Sequence, residues 1–351
     1  MRGFESYYRH YGNPALRFVS FKLYALYMTS VHPLFGLITR IRTMERKPVD
    51  THAFGMMLLV GISLGLQQVL LKLTAADISP LFQIALRSGV GATLIAAIMI
   101  ARRETLTITN GIWKPGLLVG LLFALEYLFL GEGLRLTSAA HAVVLLYTAP
   151  LFAALGLHLL VPSERLTTIQ WGGIGIAFAG IAIAFLVRGE AVHGDFHAMV
   201  IGDGLCLRAG VAWGATTVVV RGSRLAALPA KQTLLYQLLT AFVTLSVAAF
   251  LMGQVKINWT TMLMGSFAFQ SVIVSFAVFL IWFQLLRIYR ASQLGSLSFM
   301  TPIFGVIFGA IILGEPIEIS FVVGTAFVIT GIMIVNGKEA LVDHFRRSRQ
   351  S

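Results

Sequence analysis

From residue 51 onward the chain consists of one long apolar run after another, separated by short polar breaks. A transmembrane helix needs roughly 20 mostly apolar residues. Lipid offers the backbone no hydrogen-bond partners, so only helices or a closed barrel can cross it, and these runs lack the two-residue alternation of barrel strands. The sequence therefore predicts an all-α integral membrane protein. The ten predicted transmembrane helices are approximately His52–Leu73, Ser79–Ile100, Ile112–Gly133, Thr137–Leu160, Thr168–Val187, His197–Val220, Lys231–Met252, Met262–Ile288, Ser292–Leu313 and Ile317–Val335.

The composition agrees with this class of protein. Hydrophobic side chains make up 57% of the chain and charged ones 12%, whereas soluble domains average about 25% charged residues. The 27 Lys and Arg exceed the 15 Asp and Glu by 12. In a soluble chain this excess would suggest nucleic acid, but this sequence is too apolar to present a hydrated basic face. Its single cysteine, Cys206, excludes an intramolecular disulfide and a cysteine-based metal cage. We predict no nucleic-acid partner, no metal and no cofactor.

The placement of the basic residues predicts the orientation, because cytoplasmic loops retain Lys and Arg. If the region before His52 is inside, most of the 27 basic residues fall on the cytoplasmic side. The opposite side receives Lys72, Arg135, Arg188 and Lys256. Both termini are therefore predicted to be cytoplasmic.

Residues 1–50 form a basic N-terminal extension with several open interpretations. Phe18 to Ile38 is apolar and aromatic, but Lys22, His32 and Pro33 interrupt it. This favours an interfacial amphipathic helix over an eleventh span. A targeting peptide is an alternative, although the stretch lacks a clean apolar core before a small-residue cleavage site. In a further interpretation the natural chain starts at Met44, ahead of a short charged lead into the first span.

The chain also matches itself at a shift of about 150 residues. This predicts two copies of a five-span unit, residues 51–190 and 197–336, followed by a basic cytoplasmic tail, residues 337–351. An odd number of spans inverts the second copy, and inverted repeats build many secondary transporters, with the substrate site at the repeat interface. The matched pairs are Gly65 with Gly214, Lys72 with Arg221, Pro80 with Pro229, Gln83 with Gln232, Arg135 with Arg287, Pro150 with Pro302, Phe152 with Phe304, Glu164 with Glu315, Gly173 with Gly324, and Gly180 with Gly331.

Short motifs follow one another in a characteristic order between Met44 and Val335. They are Gly61-Ile-Ser-Leu-Gly65 with Lys72, Arg87, Ala139 to Pro150 before Glu164, Gly202-Asp203, Trp213-Gly214, Thr301-Pro302 and Gly314-Glu315. Their order and spacing resemble the drug/metabolite transporter (DMT) superfamily in its ten-span EamA family. The resemblance implies a carrier of the cytoplasmic (inner) membrane. Such carriers are often efflux proteins for amino acids, other metabolites or toxic compounds, driven by an ion gradient or by the solute's own gradient.

The sequence departs from the family pattern at three places. Leu64 stands where the family commonly has Trp, and Arg208 stands where a small residue is usual. The ninth span, Ser292 to Leu313, also lacks the basic residues usual in the branch that carries sugar phosphates and nucleotide sugars. Because Leu64 and Arg208 lie on segments expected to face the cavity, the family's substrates cannot be transferred to this chain.

Four charged residues lie inside the predicted spans: Arg87, Glu126, Asp203 and Arg208. A charge near the bilayer centre costs at least about 2.5–3.5 kcal/mol, so each one needs a partner or a wet cavity. Arg87 and Glu126 have matching depths and are predicted to pair or to share one cavity; a purely structural ion pair is the alternative. Arg208 is predicted to line the aqueous path, with a snorkelling or ion-paired role as the alternative.

Other intramembrane side chains complete the predicted site. An apolar cavity with a few orienting hydrogen bonds suits amphipathic solutes, although each such residue taken alone is more often packing. Glu126 and His141 are candidates for a proton relay, with a satisfied or hydrated structural histidine as the alternative for His141. Glu164 and Glu315 are predicted to cap the N-termini of the fifth and tenth spans. The further predicted cavity residues are Gln67, Gln68, Tyr127, Tyr147, Trp213, Trp282 and Gln284.

Together these features predict a gradient-driven secondary transporter that works by alternating access between the two repeats. Its predicted partners are a small-molecule substrate, the lipid bilayer and a proton as coupling ion, and no oligomeric state follows from the sequence. The alternatives are an intramembrane enzyme acting on lipid or prenyl phosphates, or a non-transporting membrane scaffold. We predict no catalytic residues, since the sequence has no aspartate-rich cluster, His-Glu-x-x-His or Walker loop.

Overall fold

The computed structural model describes residues 49–105, 111–160, 166–186, 196–289, 294, 297, 298, 300–315, 317 and 319–347. Nearly all of the predicted N-terminal extension and the predicted cap Glu164 lie outside these residues. The described residues are helical apart from short connections and an isolated bridge between Ile78 and Ile257. They form helices α1 (Thr51–Leu73), α2 (Pro80–Ala101), α3 (Trp113–Leu136), α4 (Ala139–Leu160), α5 (Thr168–Leu186), α6 (Phe196–Gly222), α7 (Ala230–Leu251), α8 (Thr261–Ile288), α9 (Met300–Leu313) and α10 (Ile319–Arg347).

Seven of these helices, α1 to α4 and α6 to α8, are long and apolar enough to cross a membrane. Three others contain shorter apolar stretches, Thr168–Ile181 in α5, Met300–Leu313 in α9 and Ile319–Gly331 in α10. The prediction of an all-helical membrane protein is thus confirmed. Each predicted span overlaps one of the ten helices.

Local sequence signals set several helix boundaries. Oδ1 of Asp50 accepts a hydrogen bond from the amide of Ala53 at 2.8 Å and caps α1. Ser79 caps α2 in the same way, and Pro80 follows it at the first helical position, where the missing N–H costs nothing. Gly314 has a φ of 66° just after α9, a left-handed conformation that glycine adopts readily at a helix end.

Two helices are interrupted where the apolar runs predicted none. In α4 the helix breaks at Tyr147 and Thr148, between segments Ala139–Leu146 and Ala149–Leu160. Pro150 explains the break, because proline has no N–H and its ring clashes with the carbonyl one turn earlier. In α8 residues Phe269–Val278 adopt π-helical geometry between two α-helical segments. π-helical turns are rare and often occur at functional sites.

Close packing occurs at glycines in repeat-equivalent positions. A Cβ atom at Gly65 in α1 would lie 2.9 Å from Cβ of Phe304 in α9, and one at Gly214 in α6 would lie 2.8 Å from Cβ of Phe152 in α4. At both places only hydrogen fits between the helices. The most extensive helix contacts join α5 with α10, α3 with α6, α4 with α6, α2 with α7 and α1 with α9.

Polar contacts between connections show which helix ends lie together. Asp77 of the α1–α2 connection accepts hydrogen bonds from Asn258 (3.1 Å) and Thr260 (2.7 Å) of the α7–α8 connection. Glu315, after α9, accepts from backbone amides at the start of α4. These connections lie at one end of the bundle, which we call the distal end.

The opposite end is called the proximal end because it contains the start of α1. There the hydroxyl of Tyr289, just after α8, donates to Oδ2 of Asp50 at 2.9 Å. Lys231 at the start of α7 forms an ion pair with Glu104, which follows α2. The helices therefore run back and forth between two polar ends, as expected for a multi-pass protein.

Candidate functional site

Arg87 of α2 is the largest fully buried side chain of the described residues, with 1% of its surface exposed. Its Nη1 donates to Oε1 of Gln67 on α1 at 3.1 Å and to Oε1 of Gln270 on α8 at 2.9 Å. Nε2 of Gln270 in turn donates to the backbone carbonyl of Gln67 at 3.0 Å. Three helices thus meet at one guanidinium.

Aromatic rings enclose the same guanidinium. Its Cζ lies 4.9 Å from the ring centroid of Tyr127 on α3 and 5.9 Å from that of Phe279 on α8. Such cation–π contacts contribute about 2 kcal/mol or more where water is excluded. We call Gln67, Arg87, Tyr127, Gln270 and Phe279 the central cluster.

Glu126 precedes Tyr127 on α3 and is 4% exposed. It lies close enough to Arg87 for the two side chains to interact electrostatically. Among the described residues, however, the ion pairs with a nitrogen–oxygen distance of 4.0 Å or less do not include these two. A direct Arg87–Glu126 salt bridge, one of the two predicted arrangements, is therefore not formed.

Several buried polar atoms around the central cluster lie without a hydrogen-bond partner within the described part of the chain. Leaving such an atom unpaired costs about 1–3 kcal/mol, so the helices around Arg87 hold hydrogen-bonding capacity for a polar ligand. The atoms are Nε of Arg87, Oε1 of Gln68, Oγ of Ser271, Oγ of Ser275 and Oγ1 of Thr301.

Tyr147 and Trp213 lie in the same hydrophobic core as the central cluster. Tyr147 stands at the break in α4, and its ring meets that of Trp213 on α6 edge to face, with centroids 5.0 Å apart. The side chain of Tyr147 on α4 also interacts with that of Thr301 on α9. The repeat-equivalent helices α4 and α9 therefore meet beside the central cluster. These two aromatic residues form part of the wall between the units.

Arg208, Trp282 and Gln284 lie outside the central cluster, and their predicted role in lining the cavity stays a prediction. Arg208 is exposed, on a face of α6 that also carries the exposed Ile201 and Val211. Five residues of helix turn it away from the side on which Asp203 is buried. Trp282 packs in a cluster at the proximal end of α1 and α8, and Gln284 is exposed.

His141 and Glu315 belong to a second polar group at the distal end. Nδ1 of His141 lies 3.1 Å from Oδ2 of Asp203. Both carboxylate oxygens of Glu315 accept hydrogen bonds from amides at the start of α4, Ala139 at 2.8 Å and Ala140 at 3.1 Å. Glu315 thus caps the start of α4 in the other unit, whereas the sequence predicted a cap on the tenth span.

Gln270 is the main site residue that the sequence argument missed. Gln67 and Gln68 were selected because each is an amide within an apolar run, and Gln270 has the same property.

A groove of about 380 Å³ lies between α2, α7 and α8, away from the central cluster. Its lining includes Gly89, Thr93 and Phe242.

Comparison with known proteins shows the family of this chain. The model of the EamA-like transporter family matches residues 52–186, which contain α1 to α5, and again residues 200–337, which contain most of α6 and the helices up to α10. The chain belongs to this family. It carries two EamA repeats, and the central cluster takes Gln67, Arg87 and Tyr127 from the first repeat and Gln270 and Phe279 from the second.

Relatives of similar length support the family. The chain is 25% identical over 272 residues to the uncharacterized transporter YoaV of Bacillus subtilis (strain 168), covering 77% of this chain and 91% of the relative. It is 27% identical over 282 residues to the uncharacterized transporter YvbV of the same organism, covering 78% and 88%. A solved crystal structure shares the fold with a TM-score of 0.58 at 20% identity, over 80% of this chain and 97% of that one. This EamA protein is thus a multi-pass membrane protein of a transporter family.

Proposed function

We propose that this EamA protein is a gradient-driven secondary transporter, an exporter of amino acids, related metabolites or drug-like amphipathic compounds. It works by alternating access between two inverted five-helix repeats. The observation that carries the proposal is the central cluster, where both repeats supply partners to one buried arginine. A solute bound between the repeats is the arrangement that alternating access requires.

The pattern of helix contacts supports the inverted repeat. Suppose that α1 to α5 are equivalent to α6 to α10, in that order. Exchanging the two repeats then turns the contact of α1 with α9 into the contact of α6 with α4. It likewise turns the contact of α2 with α8 into the contact of α7 with α3. All four occur. The contacts of α2 with α7 and of α5 with α10 map onto themselves, and both are extensive. A two-fold relation between the repeats accounts for this pattern.

The glycines support the same relation at the level of atoms. A Cβ at Gly173 in α5 would lie 2.8 Å from the carbonyl oxygen of Gly331 in α10, and one at Gly180 would lie 2.5 Å from that of Gly324. Because Gly173 is equivalent to Gly324 and Gly180 to Gly331, exchanging the repeats exchanges these two contacts. We infer that ten spans cross the membrane, five in each repeat.

The basic residues orient this bundle. With both termini in the cytoplasm, the proximal end carries most of the Lys and Arg that the structure describes. The distal end then faces away from the cytoplasm.

Two contacts, each made by the residue that follows one of two repeat-equivalent helices, indicate which end is closed. At the distal end the hydroxyl of Thr137, which follows α3, donates to the fully buried Asp203 at 2.5 Å. At the proximal end the hydroxyl of Tyr289, at the equivalent position after α8, donates to Asp50, which is exposed. We infer a conformation closed at the distal end and less tightly closed at the proximal end.

The chemistry of the site suggests the class of solute. Nε of Arg87 is a charged donor for which the described residues supply no acceptor, and the buried carboxyl of Glu126 lies nearby on α3. A solute with a carboxylate for Arg87, a cationic group for Glu126 and an apolar part for Tyr127 and Phe279 fits these groups. Amino acids and their amphipathic derivatives have this composition.

The test compares the solutes secreted by cells that lack the protein or contain the wild type, Arg87→Gln or Arg102→Gln. Arg102 is the matched control, an exposed arginine at the proximal end of α2. Wild type and Arg102→Gln are expected to export the same solutes. Losing a charged hydrogen-bond donor is expected to reduce export by Arg87→Gln roughly 10- to 100-fold at equal membrane abundance. Equal secretion with and without the protein, or equal export by both variants, contradicts the proposal.

A further inference from the structure

A small cavity of about 230 Å³ lies at the distal end, where the two EamA repeats meet. The first repeat lines it with Asp77 and Ser79 of the α1–α2 connection and with Arg135 in the last turn of α3. The second repeat lines it with Gln254 and Lys256 of the α7–α8 connection. We call these five residues and their cavity the distal pocket. Drug-sized ligands occupy pockets of about 300–1,000 Å³, so the distal pocket suits a smaller solute.

Hydrogen bonds between the repeats hold the wall of the distal pocket. The backbone amide of Asn258 donates to the carbonyl oxygen of Asp77 at 2.8 Å. Nε2 of Gln254 donates to Oε1 of Glu132 on α3 at 2.8 Å. These contacts fix the lining groups of one repeat relative to those of the other.

Basic residues meet in the distal pocket although few are expected on that side of the membrane. Segments outside the cytoplasm are poor in Lys and Arg, and under the proposed orientation they contain Lys72, Arg135, Arg188 and Lys256. Nζ of Lys72 donates to backbone carbonyls at the end of α3, and Arg188 lies outside the described residues. The other two line the same cavity. This convergence indicates a local use for positive charge.

Lys256 is the cation of the distal pocket that is available to a ligand. It is exposed and, across the ranges that the structure describes, forms no ion pair with a nitrogen–oxygen distance of 4.0 Å or less. Arg135 is compensated differently, since its Nη1 lies 3.0 Å from Oε2 of Glu132. Ser79 caps α2 and brings the positive end of that helix dipole to the wall. A carboxylate is the group that these features favour.

The acceptors of the distal pocket are Asp77 and Gln254. The Asp77 carboxylate accepts from the uncharged side chains of Asn258 and Thr260, and its two oxygens have lone pairs for further donors. Oε1 of Gln254 is buried and receives no hydrogen bond from the described residues. Its assignment as oxygen is fixed, because the other amide atom donates to a carboxylate, which only accepts. A ligand with N–H donors would satisfy it.

A cation and an anion thus line one small cavity without pairing with each other, since no ion pair within 4.0 Å joins Lys256 and Asp77 where the chain is described. With Glu132 balancing Arg135, the wall has no net charge. A zwitterion matches this arrangement better than a simple cation or anion does. The α-carboxylate and α-ammonium groups of an amino acid lie one carbon apart and carry these two charges.

We propose that the distal pocket is a second amino-acid site, in which Lys256 binds the α-carboxylate while Asp77 and Oε1 of Gln254 bind the α-ammonium group. A bound amino acid then contacts both repeats at the closed distal end. The inference rests on the proposed function, because it places the same class of solute on the side to which that solute is exported.

The experiment measures binding of radiolabelled L-alanine to the purified full chain by equilibrium dialysis. Arg87→Gln removes a charged donor from the central cluster, so binding to this variant reports the distal pocket. Unlabelled L-alanine should displace the label. Propionate has only the carboxylate and propylamine only the ammonium group. Because each lacks one charged contact, both are expected to displace the label about tenfold or more less effectively.

A second substitution locates the bound alanine. Adding Lys256→Gln to Arg87→Gln is expected to weaken binding about tenfold or more. Lys114→Gln is the matched control, an exposed lysine at the proximal end of α3, and should leave binding unchanged. Elution of each variant as one symmetric size-exclusion peak shows that it is folded.

The wild-type background gives the same comparison if Arg87→Gln fails to fold. There the wild type and Lys114→Gln are expected to bind two alanines per chain at saturation, and Lys256→Gln one.

Three results overturn the inference: no alanine binding by folded Arg87→Gln, equal binding with Lys256→Gln and Lys114→Gln, or displacement by propionate or propylamine as effective as by L-alanine. Binding that depends on Lys256 without any export leaves the distal pocket standing and contradicts the proposed function. Export by the wild type without alanine binding to folded Arg87→Gln contradicts the distal pocket alone.

Discussion

A hydrogen bond of 2.9 Å joins Nη1 of Arg87 to Oε1 of Gln270, and with it the second helix of the first EamA repeat to the third helix of the second. Gln270 lies in the π-helical segment of α8. The altered geometry of that segment places this amide, rather than an apolar neighbour, against the guanidinium. The charge of Arg87 thus depends on both repeats for its partners.

Removing this partner is expected to destabilise the fold. In Gln270→Leu, Nη1 of Arg87 keeps Gln67 but loses one acceptor, and a charged hydrogen bond contributes about 1.5–3 kcal/mol. Thermal unfolding in detergent should show a lower melting temperature. Gln284→Leu on the same helix is the control for stability, since an exposed substitution is expected to change stability by less than about 0.5 kcal/mol. Equal melting temperatures for the two variants would show that the Gln270 contact contributes nothing.

Contact between α5 and α10 leads to a second prediction. Gly180→Ala places a methyl group 2.5 Å from the carbonyl oxygen of Gly324, and such overpacking costs about 1–3 kcal/mol. Gly175→Ala on the same helix meets no atom within 4 Å and should be neutral or slightly stabilising, because alanine is the better helix former. Melting temperatures of the two variants test this. A less stable Gly175→Ala would contradict the packing described here.

Capping of α4 by Glu315 leads to a third prediction. Glu315→Ala removes the acceptor of the Ala139 and Ala140 amides, so hydrogen exchange at these amides should become about tenfold or more faster. Glu132→Ala is the control at the same end of the bundle, since Glu132 pairs with Arg135 three residues further along α3. Unchanged exchange in Glu315→Ala would mean that these amides are protected by burial and not by the carboxylate.

The proximal contact between Asp50 and Tyr289 should depend on pH. The Ala53 amide and the Tyr289 hydroxyl hold the pKa of Asp50 below its ordinary value of 3.8. A carboxyl whose pKa is lower in the folded state stabilises the fold above the unfolded pKa, and this contribution is lost as the pH falls through the folded pKa. The melting temperature of Asp50→Ala should therefore lie below that of the wild type at neutral pH. The difference in melting temperature between the two proteins should disappear at pH values below the folded pKa of Asp50. A difference in melting temperature that persists in acid would show that the carboxylate charge plays no part.

Much of the fold could be predicted because membrane helices must be long and apolar, and each predicted span overlaps an observed helix. The buried position of Arg87 followed from the cost of its charge. The break in α4 could have been predicted from Pro150. The π-helical segment of α8 contains neither proline nor glycine, so its local sequence does not predict it. Gln270 was missed together with that segment.

The differences between the expected and the observed surroundings of these side chains have a common physical origin. Depth along a helix can be counted from the sequence, but the direction in which a side chain points depends on which neighbour covers that face. Arg208 has an intramembrane position and an exposed face, whereas Asp203, five residues earlier, is fully buried. Glu315 was assigned to the nearest following helix, while the fold brings the start of α4 closer. Neighbours distant in sequence decide the positions of both Arg208 and Glu315.

Solute flux through the purified protein in sealed liposomes tests the central claim most directly. Liposomes loaded with a defined mixture of amino acids are given a proton gradient, and the external solution is analysed over time. We predict faster efflux of at least one amino acid than from protein-free liposomes, with a rate roughly 10- to 100-fold lower for Arg87→Gln and unchanged for Arg102→Gln. Efflux equal to that of protein-free liposomes for every amino acid, or equal in all three proteins, would contradict a carrier whose solute binds at Arg87.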